Sequence, residues 1–374
     1  MKKIRIGLIG AGFMGRTHAT AYRNVPFVFG DDAVPELAVI SDVNEDAAKA
    51  MAQRYGFERW TTDWHEVCAD PTIDLIDITT PNALHCPIAI EAAKHGKHVY
   101  CEKPLALDRE EAETATRAVE EAGVITGMGF NYIKNPIQAY VKQLIASGEL
   151  GEVTNFRGSY DQDYYNEDDQ KHEWRMFKSA SASGALGDLA SHTISLSQYL
   201  VGDITDVCGV TKIIVPERPD PKDPSKMLPV ENDDLVQFMF KYDTGAIGTI
   251  FSNRLGAGRK MSLTYEIQLT CGCIVFTQER QNEVQIYRHD DPVLDRGFKT
   301  VQIAPGHGEF SHFFGGAAIG LGYADQKTIE AYHMLKCIAE NQKNPIDFRF
   351  GYKVNSVIDA VLDSAENGTW VNVQ

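Results

Sequence analysis

Short apolar runs alternate with helical patterns through the first 128 residues. Residues 4–9, 36–40, 74–78 and 98–101 read as buried strands, and 124–127 closes the set near Met128. Helical patterns lie between them: one through Ala19, Ala21 and Tyr22, one from the cap Asn44 to Tyr55 with Gly56 as its stop, one over 85–94 and one over 108–122. Strands alternating with helices predict a parallel, doubly wound sheet. The stretch between Pro26 and Pro35, with Phe27, Val28 and Phe29, reads as a loop that packs locally or against a partner subunit.

From Gly151 the period changes to two. Val236, Phe238 and Phe240 fall on one face against Gln237, Met239 and Lys241, and the turn 243–245 comes next. That alternation predicts antiparallel strands with one wet or subunit-facing side. Among the strands, residues 184–200 read as one amphipathic helix, and 216–229 as a surface excursion rich in proline and charge. The fold class expected is α/β: an N-terminal Rossmann sheet over residues 1–128, then an α+β domain over 129–374 with a large, mainly antiparallel open sheet. The C-terminal helix is free in this scheme to pack back on the first domain.

Length and charge narrow the partners. A chain of 374 residues exceeds one ordinary core. The formal charge of −16 opposes a phosphate-backbone partner, so nucleic acid is excluded and small uncharged substrates fit better. The seven cysteines, apart from Cys271 and Cys273, are scattered singly without metal-finger spacing. Buried reduced thiols in a cytoplasmic protein are the expectation. No run approaches the ~20 apolar residues of a membrane span. Met1-Lys2-Lys3 leads into a first strand rather than a signal peptide, because Arg5 interrupts the apolar run and Gly10 comes soon after.

Candidate chemistry sits at the strand ends. Gly10-Ala-Gly12-Phe13-Met14-Gly15 is a GxGxxG fingerprint between a strand and a helix, the setting in which it cradles a dinucleotide pyrophosphate. Asp42, at the end of the second strand, can accept both ribose hydroxyls and repels a 2'-phosphate, which argues for NAD over NADP. Thr80-Pro81-Asn82 is either a nicotinamide-ribose contact or a bare turn. After residues 98–101 come Glu102-Lys103-Pro104, where proline keeps Lys103 extended and projecting from the strand tip. Asp188 and His192 are four apart, hence one helical turn from each other. An ion pair, a metal pair and an acid orienting a base all suit that spacing, although further metal ligands at suitable spacing are not evident. Tyr160 to Tyr165, Gln162 among them, with Trp174 and Arg175, combine flat apolar faces with polar tips and suit a sugar. His18 reads as a packing or capping residue.

Residues 10–15, Glu102-Lys103-Pro104 and 184–192 together resemble the Gfo/Idh/MocA family of oxidoreductases, over nearly the whole chain. Within it the likeness is to the levoglucosan dehydrogenase and inositol dehydrogenase group, through Phe13-Met14-Gly15, residues 101–106, 155–158, Gln162-Asp163, Trp174-Arg175 and 199–202. The resemblance implies an NAD-dependent dehydrogenase acting on a sugar, anhydrosugar or cyclic polyol. It implies a homodimer or homotetramer built through the C-terminal sheet, and Lys103, Asp188 and His192 around the reacting carbon. It also adds His85 and Glu102 to the cofactor contacts, and Asn131 and Tyr132 to the substrate contacts. One departure is that Tyr132 is followed by Ile133 before Lys134, where members often carry a basic residue directly. Two other functions share the motifs: a sugar lyase or glycosidase that retains its NAD, and a dehydrogenase-like sensor. Keeping Lys103, Asp188 and His192 together favours catalysis.

Overall fold

The computed structural model describes residues 2–30, 33–167 and 169–373. The first strand, β1 (Lys2–Ile9), runs into α1 (Phe13–Phe29), and the alternation continues as β2 (Ala33–Ser41), α2 (Glu45–Tyr55), β3 (Arg59–Thr61), α3 (Trp64–Ala69) and β4 (Leu75–Ile78). It completes with α4 (His85–Lys94), β5 (His98–Cys101), α5 (Arg109–Glu121) and β6 (Thr126–Met128). Among the described residues these strands form one parallel sheet in the order β3-β2-β1-β4-β5-β6. The order reverses beside β1, which puts the crevice of a doubly wound sheet at the carboxyl ends of β1 and β4. Capping chemistry sets the helix limits as read. Asn44 accepts the Ala47 N–H, Gly56 closes α2 at φ +71°, and Asp108 accepts the Glu111 N–H at the start of α5.

Several local expectations are corrected. The stretch 26–35 is mostly regular: α1 continues through Pro26 to Phe29, where the Gly30 N–H returns to the Pro26 carbonyl, and β2 starts at Ala33. Proline is tolerated in β2 because β3 pairs only from Val39 onward, leaving Pro35 beside an open edge. Asp31 and Asp32 of that stretch lie outside the described residues. The elements β3 and α3 were missed, being too short for a periodic signal.

Residues 1–134 and 322–352 form one compact unit, and 135–321 with 353–374 the other. The second unit holds α6 (Pro136–Ala146), β7 (Val153–Asp161), α7 (Lys178–Ser181), a π turn (Leu186–Ala190) and α8 (Ser191–Leu200), then β8 (Ile204–Lys212), β9 (Glu217–Pro219) and β10 (Met227–Pro229). Next come β11 (Leu235–Tyr242), β12 (Ile247–Asn253), β13 (Ser262–Leu269), β14 (Gly272–Thr277), β15 (Glu283–Arg288), β16 (Lys299–Gln302) and α9 (Phe310–Phe313). The chain ends with α10 (Tyr323–Glu340), α11 (Phe348–Asn367) and β17 (Val371–Asn372). The large sheet runs β16-β15-β14-β13-β7-β12-β11-β8-β17, antiparallel except for β7 beside β12. Along β11 the alternation is as read, with Phe238 and Phe240 buried and Met239 half exposed at 50%. The helix α8 lies on the buried face, close to β7: a Cβ on Gly158 would meet the Thr193 side chain at 2.5 Å.

The stretch 216–229 is also more ordered than an excursion. β9 and β10 pair into a ribbon that buries Arg218, whose guanidinium donates to the Tyr165 carbonyl. The helix read over 184–200 opens as a π turn before it becomes α-helical. All seven cysteines are free thiols, but Cys271 is exposed because it sits in the tight β13–β14 turn. In the first unit α10 packs on α1, with Met334, Leu335 and Ile338 joining Ile4, Ile6, Leu8, Tyr22 and Val25 in one core. No helix among the described residues is long and apolar enough to cross a membrane.

Candidate active site

At the tip of β1 the chain turns on Gly10, at φ +110°, whose N–H donates to the Ser41 carbonyl at 2.8 Å. A Cβ there would meet the Thr79 carbonyl oxygen at 2.7 Å, and a Cβ on Gly15 would lie 2.0 Å from the Gly10 carbonyl oxygen. Gly12 is open on its outer side and begins α1 with no side-chain cap and no acid in the first turn. A bare, 17-residue helix amino end behind a close glycine turn suits an anionic diphosphate. Phe13 is exposed beside it, and the Met14 sulfur accepts the Tyr323 hydroxyl at 3.5 Å. Asp42 stands at the end of β2, where its carboxylate accepts the Ala11 N–H at 2.7 Å and the Asn44 N–H at 2.8 Å. That fixes an acceptor one strand away from the glycine turn, the place for an adenosine ribose. These residues fit NAD.

The loops after β4 and β5 meet through His85. One ring nitrogen lies 2.7 Å from the Pro104 carbonyl and the other 2.9 Å from that of Thr80, so this buried imidazole ties the Thr80-Pro81-Asn82 turn to the lysine turn. Asn82 is buried, whereas Pro81 is exposed. The Thr80 hydroxyl and the Asn131 amide nitrogen are buried without a protein partner, as groups that meet a bound ligand are. Asn131 and Tyr132 lie in a short turn after β6, and the Tyr132 ring meets Tyr323 at 6.2 Å.

Lys103 is half-buried at the tip of β5. Behind it, Glu102 turns its carboxylate inward: Oε1 accepts from His18 Nε2 at 2.9 Å and Lys327 Nζ at 2.7 Å, while Oε2 accepts the Lys103 N–H at 3.3 Å. His18 Nδ1 faces both oxygens of Asp77, at 2.9 and 3.0 Å. Lys327 also reaches Glu330 at 2.5 Å, and Glu330 accepts the Tyr100 hydroxyl. Burial alone would lower the His18 pKa, but Asp77 and Glu102 outweigh it and push it up to about 9. Burial would raise Glu102, and the Lys327 and His18 cations hold it instead well below the carboxylate range. His18, read as packing or capping, is therefore a buried cation. Lys327 and Glu330 escaped the sequence reading altogether, since only the return of α10 brings them here.

In the second unit Asp188 occupies the middle of the π turn and His192 the first turn of α8. The Tyr164 hydroxyl donates to Asp188 Oδ2 at 2.8 Å, and Arg175 Nε lies 3.6 Å from the same oxygen. Burial first, and the Asp188 charge next, push the Tyr164 phenol well above its ordinary pKa, so it stays a donor. Arg175 stacks over Trp174 at 4.4 Å. His192 is buried, with the Tyr160 ring edge-on at 6.0 Å. Gln162 donates to the Tyr160 hydroxyl at 2.8 Å, which orders the strap of aromatics beside α8. Tyr164, read from the sequence only as one of the sugar-compatible aromatics, is bonded through its hydroxyl directly to Asp188, a link the sequence did not signal.

A dinucleotide cradle at the switch point of a parallel sheet, with a lysine turn at a neighbouring strand tip, defines an NAD-binding oxidoreductase. Residues 4–130 match the model of the oxidoreductase family with an NAD-binding Rossmann fold, and residues 139–275 match the GFO/IDH/MocA C-terminal domain. The chain belongs to the GFO/IDH/MocA oxidoreductases and is a dehydrogenase that uses NAD. It is 39% identical to levoglucosan dehydrogenase of Pseudarthrobacter phenanthrenivorans, over 100% of this chain and 99% of that protein. It is 30% identical to the NAD-dependent scyllo-inositol 2-dehydrogenase of Bacillus subtilis, over 67% and 68%. A solved levoglucosan dehydrogenase in complex with NADH and levoglucosan superposes with a TM-score of 0.96 at 40% identity, over 100% of both chains.

Proposed function

We propose that this dehydrogenase oxidises a secondary hydroxyl of a sugar, anhydrosugar or cyclic polyol, levoglucosan-, inositol- or glucoside-like. The observation that carries the reading is the full-length likeness to a sugar dehydrogenase together with the strap Tyr160–Arg175 gathered on Asp188. NAD, when bound, supplies the acceptor for the hydride that leaves the carbinol carbon. The alcohol must lose its proton as that hydride departs. His192, whose ordinary pKa lies near working pH, is the group we assign to accept it. Asp188, held by Tyr164 and Arg175, orients the imidazole and stabilises it once charged. Lys103 donates to the same oxygen and stabilises developing alkoxide charge. The reverse assignment, with Lys103 as base, uses the same residues. Gln162, Trp174, Arg175, Asn131 and Tyr132 are the substrate contacts in this reading.

The outer face of the large sheet carries Val210, Met239 and Ile247, each at least half exposed and brought together by the β8-β11-β12 register. A second copy of this chain covers that strip in the proposal, giving a homodimer or a tetramer of such dimers. A reducing cytoplasm suits the seven free thiols.

The test is NADH appearance when the purified protein and NAD meet levoglucosan, inositols, glucose and simple glucosides, with NADP and the Lys103→Ala and His192→Ala variants alongside. We expect one substrate class to respond with NAD, and both variants to lose turnover by about 10²-fold or more while still binding NADH. Full turnover in either variant removes that residue from the mechanism, and silence across the panel removes the substrate class.

A further inference from the structure

The helix that carries Asp188 and His192 is anchored from a distance. The Gly184 N–H donates to Asp233 Oδ1 at 2.6 Å, the Leu186 N–H to Asp233 Oδ2 at 2.9 Å, and the Ala185 N–H to the Asp233 carbonyl at 2.9 Å. Three consecutive N–H groups at the helix start thus converge on one residue of another segment. They are groups that no turn of the helix itself can satisfy. The approach is close enough to demand glycine, since a Cβ on Gly184 would lie 1.8 Å from the Asp233 carbonyl oxygen. Asp233 is 6% exposed, and burial raises its pKa despite the N–H groups it accepts.

Its neighbours grip adjoining segments. Asn232 Nδ2 donates to the Arg175 carbonyl at 2.9 Å and the Ser181 hydroxyl at 2.8 Å. Asp234 Oδ1 accepts from Arg254 Nε at 2.8 Å, and Oδ2 accepts the N–H groups of Ile214 and Val215. Residues 232–234 therefore hold, side by side, the strap that ends in Arg175 and the helix start that leads to Asp188. The anchored residues run directly into the π turn, a geometry uncommon in proteins and frequent at functional sites. Relaxed into an α-helix, the same five residues would turn Asp188 away from its present direction relative to His192.

We propose that Asp233 is a positioning residue of this dehydrogenase: its carboxylate holds the π turn in place, so that Asp188 and His192 keep the geometry the reaction needs. The proposal rests on the reading that those two residues serve the proton transfer.

Asp233→Asn keeps the shape of the side chain but leaves one oxygen for two N–H donors. The variant, folded and well below its unfolding transition, is expected to lose about 10²-fold in kcat, with NADH affinity unchanged. A merely structural role would lower the unfolding temperature and leave kcat intact, and that outcome overturns the proposal. Hydrogen exchange of the wild-type protein gives a second readout that needs no variant. The Gly184, Ala185 and Leu186 amides are expected to be as protected as those of β11, and exchange at the rate of an exposed turn overturns the proposal. The His192→Ala variant separates the two roles. If it turns over normally, the role of the helix fails. If it is inactive while Asp233→Asn matches wild type, only the positioning role fails.

Discussion

His18 offers the most direct test of the buried network. Both of its ring nitrogens face carboxylates, which only accept hydrogen bonds, so the ring carries two N–H groups and a positive charge. Its folded pKa is about 9 against an ordinary value of 6.5. A raised folded pKa stabilises the protein fully below the unfolded value, and that stability disappears as pH climbs through the folded value. The difference corresponds to roughly 3 kcal/mol between pH 6.5 and just above 9. Two neighbours contribute outside this window: Lys327 is held above its ordinary lysine value, and the contribution of Glu102, whose pKa is depressed, is present above its ordinary value and lost only in acid.

The assay is urea unfolding of cofactor-free protein at a series of pH values, wild type beside His18→Gln. Wild type should lose roughly 3 kcal/mol more than the variant across the window. The variant should start lower, because Asp77 then faces no cation from the ring; breaking one side of a buried pair costs about 3–5 kcal/mol. Parallel pH profiles, or a neutral His18 imidazole at neutral pH by NMR, would refute the reasoning.

Two further outcomes are expected. Asp42→Ala removes the acceptor at the end of β2 and the charge that repels a 2'-phosphate. The ratio of kcat/KM for NAD over NADP should fall by about tenfold or more, read from initial rates with each cofactor. Met239→Asp places a charge in the middle of the exposed apolar strip of the large sheet. Sedimentation should show wild-type dimers or tetramers and a shift of the variant toward monomer, and an unchanged assembly would remove that face from the interface.

The parts of the fold legible in the sequence are those set by short-range forces. The glycine turn, the Asn44 cap, the Gly56 stop and the alternation along β11 are local, and each lies where the pattern put it. Pro26 and Pro35 misled because proline's effect depends on neighbours: a last helical turn and an open strand edge both tolerate it. The π turn was hidden for a different reason. A period near four is shared by α and π geometry, and the residue that holds the N–H groups leading into the turn, Asp233, is 49 residues away from Gly184 along the chain. Glu102 lay in plain view beside Lys103, yet its partners His18 and Lys327 are 84 and 225 residues distant, and no window on the sequence spans them.

That last separation has a consequence for how the protein is made. The chain leaves the ribosome from its amino end at about 5–20 residues per second. Glu102 and Asp77 therefore emerge some 10–45 s before Lys327, since 225 residues must be translated in between. During that interval the nascent sheet carries two carboxylates with His18 as the cation that the finished network sets between them. The apolar side of α1 that α10 will cover is likewise still waiting. The cofactor-binding unit is thus begun first and finished almost last, and a nascent chain halted before residue 322 would show its strands without the protection against proteolysis that the complete unit has.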